Sequence, residues 1–207
     1  MRVARVLDST QAEGPGIRTA VWVQGCSIRC PGCFNPQFWT TRGGTLVHAT
    51  TLADDLITRA QTAGAEGITF LGGEPFEQAA ALSTVAKILR AANFSVMTFS
   101  GYIFEDLKKW STDRTDIAEL LAATDLLVDG PYLSTAIDRT RPWVGSTNQR
   151  FHMLTDRYKM LLASLDHLPD RLEIRIGSDG TVTVNGWADP ETLDALFSDL
   201  APRRSYP

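Results

Sequence analysis

The chain has 207 residues, of which 43% are hydrophobic, and this is enough for one well-packed domain. A formal net charge of −4 gives no overall attraction to nucleic acid or to an anionic membrane surface, so neither is expected as a partner. The sequence contains no apolar run long enough to span a bilayer and no charged-then-apolar secretion pattern at its N-terminus. These features indicate a cytoplasmic protein, in which cysteines stay reduced.

Strand patterns and helix patterns alternate along most of the chain. In chain order, the predicted elements are a strand over 19–23, a helix capped by Thr51 and ended by Gly64, a strand over 67–71, a helix over 77–92, a strand over 94–99, one or two helices over 103–123 broken near 111–114, and a strand over 125–128. Repeated strand–helix units with short turns predict an α/β fold, with parallel strands and helices packed outside them.

The C-terminal stretch shows a different pattern. Thr155 can cap a helix that runs to Leu165. Alternating residues at 172–176 and 181–184, separated by a Gly-Ser-Asp-Gly turn, predict a β-hairpin. Asp189-Pro190 then opens a last amphipathic helix.

The three cysteines of the chain lie in one short segment, spaced as CxxxCxxC at Cys26, Cys30 and Cys33. Three thiolates can hold a metal centre but leave one coordination position open, as catalytic metal sites do. Iron–sulfur clusters are ordinarily held by four cysteines. A cluster at this segment would therefore expose one iron to a ligand from outside the protein.

Other interpretations of the cysteine segment stay open at this point. A disulfide framework would need an even number of cysteines and a secreted context. A zinc site could recruit His48, although zinc ligands usually come as two separated pairs. Three unligated thiols would be unusual in a loop that contains Pro31 and Gly32. The spacing favours an iron–sulfur cluster over zinc or free thiols.

Polar and glycine-rich motifs follow the predicted strands at the point where each one ends. Cys26, Gly72, Ser100 and Asp129 come after the first, second, third and fourth strands. In folds with parallel strands, functional groups gather at the carboxyl ends of those strands. The sequence therefore predicts that these motifs form a single site.

The motifs together resemble one enzyme family. CxxxCxxC resembles the signature of the radical S-adenosylmethionine (SAM) enzymes, in which three cysteines bind a [4Fe-4S] cluster and SAM binds the fourth iron. The segment EGPGIRT at 13–19 is similar to the GPGxR segment of the glycyl-radical-enzyme activases, and PGCFN at 31–35 is similar to the PGCYN of the anaerobic ribonucleotide reductase activases. Further counterparts follow in the same order, namely GGEP at 72–75, SGY at 100–102, VDGPY at 128–132 and WVGSTNQR at 143–150.

This resemblance implies a partial (β/α)6 barrel, open at one side, with the C-terminal hairpin and helix as an extension. Residues 1–150 would form the radical SAM core, with the cluster on Cys26, Cys30 and Cys33, and residues 151–207 would pack on it. The cofactors would be the [4Fe-4S] cluster and SAM. Reductive cleavage of SAM would give a 5′-deoxyadenosyl radical that takes a hydrogen atom from a glycine of a partner glycyl-radical enzyme. Flavodoxin or ferredoxin would supply the electron.

The resemblance places the SAM contacts on the strand-end motifs. The family holds the SAM amino group with its GGE segment, which maps to the Glu74 side chain and the Gly73 carbonyl. The predicted cofactor-binding residues are Gly72, Gly73, Glu74, Pro75, Ser100, Gly101, Asp129, Asn148 and Gln149. A plain turn is the alternative for Ser100 and Gly101, and capping of the following loop is the alternative for Asp129.

Substrate contacts are expected from Arg18, Tyr102 and Arg150. For Arg150, an exposed ion pair is the commoner fate of such a residue. The amides of Asn148 and Gln149 offer the paired donors and acceptors that suit a ribose or an adenine.

Two other functions are compatible with the sequence. One is a stand-alone radical SAM enzyme that modifies a small metabolite or a peptide, with the C-terminal extension shaping its pocket. The other is a non-catalytic iron–sulfur or zinc protein, against which the GGEP segment and the open cluster position argue. The resemblance favours the activase over both.

Overall fold

A seven-stranded mixed sheet forms the centre of the protein. The computed structural model describes residues 1–168, 171–180, 182–186 and 190–198. The strands of the sheet are β1 (Arg2–Thr10), β2 (Arg18–Val23), β3 (Thr45–Leu46), β4 (Gly67–Gly72), β5 (Ser95–Phe99), β6 (Leu126–Asp129) and β7 (Arg150–Met153). They lie in the order β3-β1-β2-β4-β5-β6-β7. Strands β2, β4, β5 and β6 run parallel, whereas β1, β3 and β7 pair antiparallel at the edges.

Helices connect the parallel strands and cover one face of the sheet. They are α1 (Ala49–Ala63), α2 (Ala79–Ala91), α3 (Phe104–Trp110) and α4 (Thr115–Ala123). The predicted apolar face of α2 is buried against this sheet face, in the largest hydrophobic cluster of the described residues. Side chains alternate along each strand, so Val21 and Phe70 join that cluster while Trp22 and Leu71 face the other way.

The α/β fold predicted from the alternating pattern is confirmed. Each strand and helix predicted up to β6 is present, with its ends shifted by a few residues at most, and α3 and α4 are separated at the predicted break. The cap predicted for α1 is wrong, because the backbone carbonyl of His48 already accepts the N–H of Leu52 at 2.9 Å and the helix starts at Ala49. Its other end is at Gly64, as predicted.

The sixfold strand–helix repeat of the expected barrel is not confirmed. Within the part of the chain that the structure describes, the parallel portion of the sheet has four strands, and the sheet is continued by antiparallel edge strands. Strand β1 did not appear among the predicted elements. Its sequence has no clear alternation of apolar and polar residues, because most of its side chains are half-buried and neither face of the strand has to be strictly apolar.

The C-terminal stretch forms short elements next to this sheet. The Thr155 hydroxyl accepts the N–H of Arg157 at 3.4 Å, as expected for a cap, but the helix that follows at Asp156–Ala163 is a 3₁₀ helix. The predicted hairpin consists of β8 (Leu172–Ile176) and β9 (Val182–Gly186), and a last helix α5 spans Pro190–Ser198. Thr181 and Asp189 of those predictions lie outside the described residues. No helix in the described ranges has the length and apolar character needed to cross a membrane.

A buried guanidinium joins the amino ends of the parallel strands. Arg18, the first residue of β2, is 0% exposed, and its Nε donates to Thr69 Oγ1 of β4 at 3.0 Å. Its Nη1 donates to Ser95 Oγ of β5 at 2.6 Å and to the Tyr158 hydroxyl at 2.8 Å. Its Nη2 donates to the Ile68 carbonyl at 2.6 Å. The expected substrate contact of Arg18 is therefore corrected: its donors are used inside the core, away from the carboxyl ends of the strands.

Replacing Arg18 with alanine should lower the free energy of unfolding by at least about 3 kcal/mol, because buried hydrogen bonds to a cation are lost and a cavity remains. Chemical denaturation would measure the loss. Arg59→Ala is the matched control, since Arg59 makes exposed ion pairs with Asp8 and Asp55 and its loss should cost less than about 1 kcal/mol. Equal losses in the two variants would contradict the role given to Arg18.

Candidate functional site

The carboxyl ends of the parallel strands surround a cavity of about 230 Å³. Residues that follow four different strands line it, because parallel strands bring their carboxyl ends to the same edge of a sheet. The lining residues that the sequence had singled out are Cys26, Cys30, Cys33, Gly72, Gly73, Glu74, Ser100, Gly101 and Gln149. Of the four strand-end residues predicted to form a single site, Cys26, Gly72 and Ser100 line this cavity, whereas Asp129 does not, although Gly130 beside it does.

The three cysteines are free, half-buried and exposed to this one cavity. The backbone N–H of Asn35 donates to Cys33 Sγ at 3.4 Å. Burial raises the pKa of the Cys26 and Cys30 thiols, and hydrogen bonds from backbone N–H groups act in the opposite direction at both sulfurs. The segment therefore presents three sulfur atoms in partly dry surroundings, with N–H groups directed at them.

The Glu74 carboxylate connects the loop after β4 with the turn after β5. It is 1% exposed and accepts hydrogen bonds from Phe76 N at 2.9 Å, Ser100 Oγ at 2.9 Å and Gly101 N at 2.8 Å. Burial raises the pKa of Glu74 to about 7, although these donors favour the ionised form. One side chain thus fixes two of the loops that line the cavity.

Gly73 allows the loop after β4 to lie directly against the cysteine segment. A Cβ atom at this position would come within 2.2 Å of the Gly25 carbonyl oxygen, so a larger residue would push the two segments apart. The Gly73 N–H donates to the Val23 carbonyl and the Glu74 N–H to the Gly25 carbonyl, each at 2.8 Å. The GGEP segment is therefore held next to Cys26 by its backbone.

The part of the chain that contains the cysteines matches a known protein family. Residues 12–152, more than half of the chain, match the family described as "4Fe-4S single cluster domain". The chain belongs to this family. The match includes the three cysteines and the strand-end loops, and it ends at β7.

Several curated proteins are similar to this chain over most of their own length. This chain is 29% identical over 160 residues to the "Anaerobic ribonucleoside-triphosphate reductase-activating protein" of Enterobacteria phage T4. The aligned region covers 75% of this chain and 96% of the phage protein. The protein of the same name from Escherichia coli strain K12 is 28% identical over 149 residues, with coverages of 68% and 91%. The predicted resemblance to the radical SAM activases is confirmed.

One solved structure shares part of this chain's shape. The crystal structure of QueE from Escherichia coli is 19% identical and has a TM-score of 0.38, over 48% of this chain and 52% of QueE. This likeness is too low to support an argument about fold or function.

The residues around the cavity fit the [4Fe-4S] cluster of the family. Within the described ranges, no three His, Cys, Asp or Glu side chains form a group that could hold a single metal ion. A cluster takes each thiolate on a different iron and needs a wider spacing of ligands than one ion does. Three free thiols line this one cavity, and N–H groups near the sulfurs are a known means of setting a cluster's potential.

Asp129 and Arg150 contact each other instead of facing the cavity. Asp129 is 0% exposed and accepts the N–H of Phe104 at 2.5 Å, which caps the start of α3. Arg150 Nη2 donates to Asp129 at 2.6 Å and to Glu105 at 2.6 Å. Both side chains are used in this ion-pair network, and the cofactor contact expected of Asp129 and the substrate contact expected of Arg150 stay predictions.

Pro75 and Tyr102 also lie outside the cavity lining. Pro75 is buried as the first residue of a 3₁₀ helix that Glu74 caps. The Tyr102 hydroxyl donates to Glu77 Oε1 at 3.1 Å and lies 3.3 Å from Ser27 Oγ, which fixes the residue after Cys26. Both residues support loops next to the cavity, and the cofactor contact expected of Pro75 and the substrate contact expected of Tyr102 stay predictions.

The two amides near β7 hold the loops that follow β6. Asn148 Nδ2 donates to the Pro131 carbonyl at 2.7 Å, and its Oδ1 is buried without a hydrogen-bond partner. Gln149 lines the cavity, where its Oε1 accepts the N–H of Gly145 at 2.8 Å and its Nε2 donates to the Gly130 carbonyl at 3.2 Å. Gln149 therefore shapes the cavity wall, whereas Asn148 lies behind it.

Sequence reasoning missed Glu77, which holds the cysteine segment in place. Its Oε1 accepts both the N–H of Ser27 at 2.8 Å and the Ser27 hydroxyl at 2.5 Å. An acidic residue in the first turn of a helix is common for electrostatic reasons alone, so its position carried no signal. The aromatic lining residue Trp39 was missed, and Tyr132 and Trp143, although part of quoted motifs, were not named as site residues, because aromatic residues are usually core residues.

The raised pKa of Glu74 gives a testable dependence of stability on pH. Because its folded pKa of about 7 exceeds the ordinary value of 4.5, the stability linked to it is fully present below about pH 4.5 and is lost as pH rises through about 7. As pH rises over this range, the free energy of unfolding of the wild type should therefore fall by up to about 3 kcal/mol relative to that of Glu74→Gln. Thermal unfolding of cluster-free protein between these pH values would measure it. A difference between the two proteins that does not change with pH would contradict the raised pKa.

Proposed function

We propose that this protein is an activating enzyme that binds a [4Fe-4S] cluster and SAM and removes a hydrogen atom from a glycine of a partner glycyl-radical enzyme. One observation carries the proposal. Three free thiols share a cavity with Gly72, Gly73 and Glu74 and with the Ser100–Gly101 turn. Support comes from the relatives, which are named activating proteins of an anaerobic ribonucleoside-triphosphate reductase.

The cofactors would be held by the groups that line the cavity. Cys26, Cys30 and Cys33 would bind the cluster, which when reduced supplies the electron that cleaves SAM to methionine and a 5′-deoxyadenosyl radical. Gly73 would present its backbone to the SAM amino group, since it lines the cavity and has no side chain of its own. A carboxylate has about four acceptor sites. The carboxylate of Glu74 uses three of them within the protein and has one left for the same amino group.

The chain would also protect a reactive radical from water. Apolar and aromatic side chains make up much of the cavity wall, including Leu71, Phe99, Trp143 and Val144. Excluding water from such a site prevents side reactions of radical intermediates. Backbone hydrogen bonds hold the GGEP segment against the residues that precede the cysteine segment, and they would keep the two cofactors next to each other. The cofactors would supply the chemistry, and the protein would supply their relative position.

The finer assignments belong to the same proposal. Residues 1–150 would be the radical SAM core and 151–207 an extension that packs on it, although β7, which starts at Arg150, belongs to the central sheet. A reduced flavodoxin or ferredoxin would deliver the electron, and the cytoplasm would provide the reducing conditions that an open cluster needs. The stand-alone enzyme and the non-catalytic protein have less support, since neither corresponds to the activating proteins named above.

Replacing one cysteine tests the cluster assignment. Cys30→Ala should lose the visible absorbance of the reconstituted cluster and all formation of 5′-deoxyadenosine from SAM under dithionite, because two thiolates cannot hold the cluster. Arg29→Gln, a change of an exposed residue in the same segment, should keep both. Iron and sulfide analysis together with chromatography of the nucleoside would give the answer. Normal formation of 5′-deoxyadenosine by Cys30→Ala would refute the assignment.

The partner assignment needs a separate experiment. Incubation of the reduced, SAM-loaded protein with the anaerobic ribonucleoside-triphosphate reductase of the same organism should give a glycyl-radical signal in electron paramagnetic resonance. A matched reductase with alanine at its radical glycine should give none. Formation of 5′-deoxyadenosine without a signal on any glycyl-radical protein would favour the stand-alone enzyme.

A further inference from the structure

The backbone of Trp143 has a conformation that bulky residues rarely adopt. Its φ is +65°, in the left-handed region that favours glycine. Within the described ranges, Arg29 and Asn93 are the other non-glycine residues with positive φ, and neither lines the cavity, whereas Trp143 does. Residues held in such conformations cluster at sites that bind ligands. The conformation of Trp143 therefore calls for a functional explanation.

The loop on both sides of Trp143 is anchored, so its surroundings impose the strained conformation. Val144, the next residue, is 1% exposed and belongs to a hydrophobic cluster on the sheet face that the helices leave uncovered. Two residues before Trp143, the guanidinium of Arg141 donates to Asp138 Oδ2 at 2.6 Å and to the Gln149 carbonyl at 2.9 Å. A strained residue persists only where its neighbours determine its backbone in this way.

The indole of Trp143 is half-buried and supported from one side by Phe151. The two ring centroids are 6.2 Å apart and the ring planes meet at 74°, which is an edge-to-face contact that fixes the plane of the indole. The amide of Gln149, on the same loop, already bonds Gly145 N and the Gly130 carbonyl. A ligand at this part of the cavity would therefore meet an aromatic side chain beside an amide that is already bonded.

The position of Trp143 suits the far end of an elongated ligand. Trp143 belongs to the loop after β6, and β4, β5 and β6 are neighbours in the sheet. Neighbouring strands lie about 4.8 Å apart, so the ends of β4 and β6 are separated by roughly 10 Å. The proposed function places the amino acid half of SAM at Gly73 and Glu74, after β4. From there the nucleoside half would extend past Ser100 and Gly101 towards the loop after β6.

We propose that Trp143 binds the adenine ring of SAM by stacking against it, and that it thereby fixes the position of the adenosyl group. Purine bases are planar, and they stack on the faces of aromatic side chains. Because the anchored loop holds the indole in place before the ligand arrives, little ordering is needed on binding. The inference rests on the proposed function and adds to it the residue that holds the nucleobase.

Binding measurements on the oxidised, cluster-loaded protein test this role, since SAM stays intact when no electron is supplied. Trp143→Leu keeps an apolar side chain but removes the aromatic face, so its dissociation constant for SAM should rise at least about tenfold. Trp143→Phe keeps an aromatic face and should bind SAM within about threefold of wild type. The dissociation constant for methionine, which has no base, should stay unchanged in both variants. Calorimetry would measure the four values.

Trp110→Leu is the matched control. Trp110 is also half-buried and also makes an edge-to-face contact, with Tyr102 at a centroid distance of 4.9 Å, but it does not line the cavity. This variant should bind SAM and methionine as wild type does. If Trp143→Leu does not fold, Trp143→Gly is judged by the same measurements, because glycine accepts a φ of +65°.

Two outcomes would overturn the proposal while leaving the proposed function intact. One is wild-type affinity for SAM in Trp143→Leu. The other is an equal loss of affinity for SAM and for methionine, which would show that the whole cavity had changed and not the contact with the base. Absence of SAM binding by wild type would instead refute the proposed function, and this inference with it.

Discussion

The buried carboxylate of Glu74 is the contact on which the arrangement of the cavity depends. Its oxygens join the loop after β4 to the turn after β5, and its backbone N–H donates to Gly25, next to the cysteine segment. A single residue thereby links three strand ends that are distant along the chain. In a buried site each of these hydrogen bonds is stronger than it would be in water, and an unpaired donor would cost more. The position of the thiols relative to the GGEP segment follows from this link.

A buried cation has the corresponding role at the other end of the strands. Arg18 connects β2, β4 and β5 at their amino ends and reaches Tyr158 beyond the sheet. The two charged groups hold opposite ends of the same parallel strands in register. Between them the helix-covered face of the sheet contains the main hydrophobic cluster, whereas the opposite face carries two smaller clusters and leaves space for the cavity. The site is thus a consequence of covering only one face of the sheet with helices.

The residues after 152, which lie beyond the family match, also contribute to the cavity. The C-terminal hairpin attaches by charged and polar side chains and contributes Gly186 to the wall of the cavity. Among the described residues, the wall of the cavity is therefore built from residues inside the family match and from one residue outside it.

The sequence by itself predicted the cysteine ligand set and determined the order of the elements. CxxxCxxC depends only on local spacing, and strands and helices such as β4 and α2 follow from the periodicity of neighbouring residues. Only the tertiary structure decided that Arg18 points into the core and that Asp129 and Arg150 neutralise each other. It also brought Gly186 next to Glu13. The physical reason is that a polar side chain's role depends on which distant groups compete for its hydrogen bonds, and that competition is settled only when the whole chain packs.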